Sequence, residues 1–217
     1  MNHYKSKLHF WEELANSLTH GAGLVASIIA MVTLIIIANG EQDATKIIAG
    51  AIYGSSLILC YLASTLYHSI QQPDIKHYLK IFDHAAIYLL IAGSYTPFTL
   101  YVIKGDWGFW MLTAIWSLAI LGVVFKLFFV NRFKIFSTLI YLAMGWMALL
   151  AIQPLFENLP FEGLFLLVSG GLCYSVGVIF FLWEKLPFSH AVWHLFVLGG
   201  SVCHFFAVLL YVLPERC

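Results

Sequence analysis

The sequence predicts an all-α integral membrane protein, a bundle of seven transmembrane helices, and three observations predict it. Hydrophobic residues fill 61% of the 217 positions and charged residues only 10%, with a mean hydropathy of +0.88, whereas a water-soluble domain carries about 25% charged residues. Seven stretches reach the roughly 20 apolar residues that a spanning helix needs: 18–39, 46–70, 81–103, 107–130, 135–155, 162–183 and 190–213. The joints between them are short, so neighbouring helices run antiparallel, no room is left for a water-soluble domain, and residues 1–217 read as one membrane domain. A secreted toxin domain, a cytosolic enzyme and a disordered segment are excluded. Lys and Arg (11) balance Asp and Glu (11), which leaves no basic patch for nucleic acid.

Each element has its own signals. The long apolar run of span 1 begins at Leu24, after a polar stretch with Glu12, Glu13 and His20, so it reads as a retained span rather than a cleavable signal. Asn39-Gly40-Glu41 ends it. Span 2 carries Ser64 and His68 toward its end, and the polar joint from Gln71 to Lys80 follows. Span 3 opens with Asp83 and His84 and contains Pro97, which should kink it. Lys104-Gly105-Asp106, Asn131 to Lys134 and Glu157 to Pro160 bound spans 4 and 5. In span 6, Gly170, Gly171 and Gly177 read as close-contact positions against Gly199 and Gly200 of span 7. Glu184 to Ser189 joins these two spans, and span 7 opens with His190 and His194. Cys60, Cys173, Cys203 and Cys217 form no C-x-x-C pair and read as small buried residues.

Lys and Arg counts set the expected orientation. Eight (Lys5, Lys7, Lys76, Lys80, Lys126, Arg132, Lys134, Lys185) fall on one side and three (Lys46, Lys104, Arg216) on the other. This predicts a cytoplasmic N-terminus and an outside C-terminus. Trp11, Trp107 and Trp110 fall near the expected interfaces, where amphipathic rings settle. A G-protein-coupled receptor has the opposite orientation, and a retinal protein needs a lysine in its last span, which 190–213 lacks.

Ionisable groups inside membrane helices are costly and point to function. At about 1.5 Å rise per residue, His20, His68, Asp83, His84, His190 and His194 lie within roughly two turns of the inner face, with His204 about 15 Å deeper than His194. His190 and His194 share one helix face, their Cβ atoms about 5–6 Å apart, a spacing that suits either a shared metal or two interfacial histidines bonded to backbone or water. His68 and Asp83 arrive at the same depth from other helices. Three neutral imidazoles with an open fourth position holding water describe a catalytic zinc site, and no thiolate joins the cluster, which favours zinc over soft metals. Its nitrogens should fall about 2.0–2.1 Å from one ion position.

Asp83 reads as bonded to the water, though it could also ligate. Ser64 could bond the water, the substrate or the second nitrogen of His68, or simply let helices approach. Glu13, Asn16 and His20 line a mouth, orient ligands or form a structural cluster. His84 points about 100° from Asp83, so only one of the two is expected at the site, and Asp83 is chosen; His204 reads as a packing residue. No lysine is expected to neutralise the cluster.

Four segments carry a family resemblance: Glu12-Glu13-Leu14-Ala15-Asn16-Ser17-Leu18-Thr19-His20-Gly21, Ala63-Ser64-Thr65-Leu66-Tyr67-His68, Phe82-Asp83-His84 through Tyr95-Thr96-Pro97-Phe98, and His190-Ala191-Val192-Trp193-His194-Leu195-Phe196. They resemble bacterial hemolysin III proteins, the prokaryotic branch of the progestin and adipoQ receptor family, and more distantly the alkaline ceramidases. The resemblance implies a seven-helix bundle in the bacterial cell membrane, zinc on His68, His190 and His194, a water-bound aspartate at Asp83 and a serine at Ser64. The longer N-terminal region of the eukaryotic receptors is absent, so hormone reception is not carried over. The function expected is a zinc-dependent intramembrane hydrolase of a lipid amide or ester. A pore or cytolysin and a metal-stabilised lipid sensor without catalysis remain open alternatives.

Overall fold

The computed structural model describes residues 2–40 and 42–214, with side chains from Lys7 onward. The side chains of His3 and Lys5, and residues Glu41, Arg216 and Cys217, lie outside the described residues.

All regular structure among the described residues is helical. The order is α1 (Asn2–Gly40), α2 (Ala44–Ser69), α3 (Pro73–Phe98) running into a π-helical turn (Thr99–Ile103), α4 (Gly105–Phe129), α5 (Lys134–Gly145), a 3₁₀ stretch (Trp146–Ala151) leading into α6 (Ile152–Asn158), α7 (Phe161–Leu182) and α8 (Ser189–Tyr211). With α5 and α6 counted as one crossing, seven segments are long and apolar enough to span a membrane, at mean hydropathies of 1.5 to 2.5. Large apolar side chains face outward along them, among them Leu121, Phe128 and Phe161 at 65%, 74% and 77% exposure. Patches of that extent need lipid rather than water. Trp11, Trp107 and Trp110 are exposed as well.

Two boundaries differ from the sequence expectation. The joint from Gln71 to Lys80 is mostly helix, because α3 starts at Pro73. Proline at the first helical position loses no hydrogen bond, and Asp74 in the first turn complements the helix dipole. α1 likewise begins far upstream of residue 18. A hydropathy window finds only the apolar middle of such helices.

Sequential neighbours pack antiparallel, α1 on α2, α2 on α3, α3 on α4 and α7 on α8, and α8 returns to α1. α3 is the most buried span. The helix does change form after Pro97, where the α-helix gives way to the π turn. Thr99 Oγ1 donates back to Tyr95 O and Thr96 O there. The α5 crossing breaks at Gly145, and the Tyr95 hydroxyl repairs the break by donating to Gly145 O (2.7 Å) and accepting from Ala148 N (2.8 Å). Freed backbone groups within a bilayer require such partners.

Two features position the functional end of the bundle. The buried face of α4 is the stripe Gly108, Met111, Ile115, Ala119, Gly122, Lys126, at the 3–4 residue spacing of one helix face. Lys126 therefore ends an apolar stripe inside the bundle, at 2% exposure. The entry to α8 is held by α1: Phe188, in the left-handed region at φ 57°, donates its N–H to Glu12 Oε1 (3.0 Å). The close-contact glycines also behave as expected, with Gly170 against His204, Gly177 against Phe196 and Trp193, and Gly200 against Tyr174. Gly171 differs, since its nearest neighbour is Trp146 beyond α5.

Candidate metal centre

His68 comes from near the end of α2, and His190 and His194 from the first two turns of α8. These helices are far apart in sequence and meet at the end of the bundle where α1 enters. One nitrogen from each ring lies within 4.8 Å of the other two, so the three rings could hold a metal ion between them. Two nitrogens on a tetrahedral zinc stand about 3.4 Å apart, from the bond length of about 2.0–2.1 Å. The ring centroids of His68 lie 5.0 Å from those of His190 and 5.2 Å from those of His194.

The outer hydrogen bonds decide which nitrogen each ring offers. His68 Nδ1 donates to Glu13 Oε1 at 3.1 Å, and its buried Nε2 has no partner. His194, at 1% exposure, has Nδ1 3.2 Å from Asn16 O and 3.1 Å from Thr19 Oγ1. With the proton on Nδ1, as these acceptors require, both rings present the Nε2 lone pair. Metal-ligating histidines are held in this way, one nitrogen on a carboxylate or carbonyl and the other on the ion. The partnerless Nε2 of His68 is thus an observation of this structure that fits a metal.

α1 supplies these anchors. Glu13, Asn16 and His20 fall on one stripe, and the structure separates Glu13 from Glu12, which caps α8 instead. Glu13 Oε2 is held by Lys76 and by Gln71 Nε2 (3.0 Å), so the carboxylate cannot swing from His68. His20 stacks on His194 with centroids 3.4 Å apart and planes 14° apart, and meets Tyr61 edge-on at 4.9 Å. Both His20 ring nitrogens are buried without a partner among the described residues. The sequence reading left the roles of Glu13, Asn16 and His20 open and did not single out Thr19. The stripe spacing was the available signal for the first three, whereas Thr19 had none.

Ser64 is 1% exposed and its Oγ has no partner. Asp83 is 8% exposed, with Oδ2 3.7 Å from His84 Nδ1. His84 departs from expectation. It donates to Lys80 O through Nδ1 (2.9 Å) and lines the same vestibule as His68 and His190. His204 packs against Gly170, with Nε2 3.1 Å from Leu167 O and Nδ1 buried without a partner among the described residues.

The centre opens on a polar vestibule of about 500 Å³, lined by Glu13, Asn16, His68, His84 and His190 among others. A narrow apolar slot of about 100 Å³ continues between α3, α5, α7 and α8 past Leu90, Leu142, Val178 and Val197. Thr138, Tyr141 and Phe181 line both. At the rim, outside the spans, the hydrogen bond from Lys134 Nζ (2.6 Å) holds the Glu184 carboxyl below its usual range. The expectation of no neutralising lysine fails here: Lys76 binds Glu13, and Lys80 and Lys126 line the vestibule. Depth along the sequence alone does not reveal that α4 aims Lys126 inward.

Glu13→Gln tests the anchoring directly. It keeps the shape and an acceptor for His68 but removes the charge, so zinc affinity should fall about 10–100-fold. Competition with a fluorescent chelator in detergent measures it, and an unchanged affinity would mean that Glu13 does not orient a ligand.

Comparison with known proteins follows the same residues. The family model described as "Haemolysin-III related" matches residues 8–205. "Hemolysin-3" of Bacillus cereus is 56% identical over 203 residues, covering 94% of this chain and 93% of that protein. "Hemolysin-3 homolog" of Bacillus subtilis (strain 168) is 53% identical over 200 residues, 92% of this chain and 94% of the relative. "Monocyte to macrophage differentiation factor" of Homo sapiens is 29% identical over 208 residues, 93% and 85% of the two chains. The chain is a multi-pass membrane protein that belongs to the haemolysin-III related family.

Proposed function

We propose that this protein is a zinc-dependent intramembrane hydrolase acting on a lipid amide or ester, in the bacterial cell membrane with its N-terminus in the cytoplasm. The observation that carries the reading is the convergence of His68, His190 and His194, with the Nδ1 atoms of His68 and His194 tied to acceptors on α1 and the Nε2 of His68 left without a partner. Zinc, when bound, supplies a Lewis acid that polarises a carbonyl and lowers the pKa of a coordinated water to about 7. The residues around it divide the remaining work.

The apolar slot takes an acyl chain, and the shared walls at Tyr141 and Phe181 bring its polar end into the vestibule beside the histidines. Asp83 accepts the proton of the attacking water and later delivers it to the leaving nitrogen or oxygen. Ser64 Oγ, buried and without a partner, donates to the oxyanion of the tetrahedral intermediate. Glu13, Asn16 and Thr19 hold the imidazoles in register throughout.

The test is metal analysis of the purified protein, paired with an assay for fatty acid release from a lipid panel that includes ceramide-like amides and acyl esters. About one zinc per chain and turnover that a chelator abolishes are expected. Bound zinc with no turnover on any lipid would overturn catalysis. Dye leakage from liposomes that survives the loss of His68 and His194 would instead support a cytolysin.

A further inference from the structure

The charges of the vestibule do not balance locally. Of its carboxylates, Glu13 is engaged by Lys76 and His68, Glu184 by Lys134, and Glu12 by the Phe188 N–H. Lys80 and Lys126 have no carboxylate within ion-pair distance among the described residues. Lys80 Nζ donates to Asn131 Oδ1 at 2.8 Å and Lys126 Nζ to Ser137 Oγ at 2.7 Å, both neutral acceptors. Lys80, Lys126 and Lys134 line the same vestibule, so three like charges gather around one cavity.

Lys126 is the decisive residue. The buried stripe of α4 turns it into the bundle rather than toward the surrounding phase, and it is 2% exposed. A lysine at a membrane interface ordinarily extends its stem to reach water or headgroups outside; this one points into a cavity that already has an apolar arm. A buried cation without a counter-ion is costly, and such groups in membrane helices mark ligand paths. What would satisfy both lysines is an anion entering the vestibule with an apolar tail in the slot.

We propose that Lys80 and Lys126 form a subsite for a phosphate-bearing lipid headgroup, making acidic phospholipids the ligand class of this cavity. Nζ of both lysines donates to oxygens of the phosphate, while Ser137 and Asn131 hold the ammonium groups in place. The acyl chains follow the slot past Tyr141 and Phe181. This deepens the hydrolase reading and rests on it only for the claim that the bound lipid is also cleaved.

The experiment measures binding without turnover, by native mass spectrometry of the purified protein with phosphatidylglycerol or phosphatidylcholine of matched chains. The wild type should bind the acidic lipid at least about tenfold more tightly, the worth of one charge-assisted hydrogen bond. Lys126→Gln should abolish that preference, Lys126→Arg should retain it, and Lys104→Gln at the opposite end of the bundle should leave it unchanged. Inorganic phosphate at equal concentration should not displace the lipid; displacement would assign the site to free phosphate and overturn the lipid assignment. Equal binding of both lipids by the wild type would also overturn it. So would a preference that persists in the Lys80→Gln, Lys126→Gln double variant with its thermal transition intact. An acidic-lipid preference that depends on Lys126, without hydrolysis of any lipid, would sustain the subsite and remove only the hydrolase reading. Turnover of lipids that ignores both headgroup charge and Lys126 would do the reverse.

Discussion

His194→Ala loses the metal. The substitution removes one of three converging imidazoles from a position at 1% exposure, and the remaining pair cannot complete the three-ligand, open-position set of a catalytic zinc site. Zinc measured by inductively coupled plasma mass spectrometry should fall from about one per chain to background, with lipid turnover falling alongside it. The folded state alone assembles the three rings, so metal binding adds stability, by about 2.7 kcal/mol when free zinc is 100 times its dissociation constant. Wild-type protein treated with chelator should therefore melt near the temperature of the variant. His194→Gln, which preserves more of the volume under the His20 ring, separates metal loss from a packing defect: both variants should lose zinc. Retention of a full zinc complement by either would show that the three histidines are not its ligands.

Asp83→Asn separates chemistry from metal binding. The amide is nearly isosteric with the carboxylate but cannot accept the proton of an attacking water. General acid–base catalysis contributes about 10²–10⁴ in rate, so turnover should drop by that factor while zinc content and the thermal transition stay at wild-type levels. Ser64→Ala should cost about 10²-fold in turnover, the effect of removing one donor to an oxyanion. Its hydroxyl has no other partner to lose, which keeps the structural consequence small. Unaltered turnover in Asp83→Asn would remove Asp83 from the reaction, and loss of zinc in that variant would make it a ligand instead.

The histidines were legible because depth in a membrane helix is nearly a one-dimensional coordinate. Counting residues from each span end at a fixed rise puts His68, His190 and His194 at one level without knowing how the helices pack. The same arithmetic could not choose between Asp83 and His84, which share that level. It gave no azimuth for Lys126, which counts toward orientation equally well facing lipid or facing inward. The broken fifth crossing was equally hidden: Met144, Trp146 and Leu149 look apolar and helical, while the group that stabilises the break is the hydroxyl of Tyr95 on another helix.

Composition and hydropathy period by themselves determined seven crossings and the antiparallel order of neighbours, because an apolar run of sufficient length and a short polar joint act locally on the backbone. Only the packed bundle decided which nitrogen of His68 and His194 is free, that Glu13 rather than Glu12 backs the centre, and that Lys80 and Lys126 face the same vestibule as the histidines. The physical reason is rotation about the helix axis. A bilayer sets how deep a residue lies, but which neighbour it meets depends on the turn of every helix against the others, and that is a property of the whole assembly of spans.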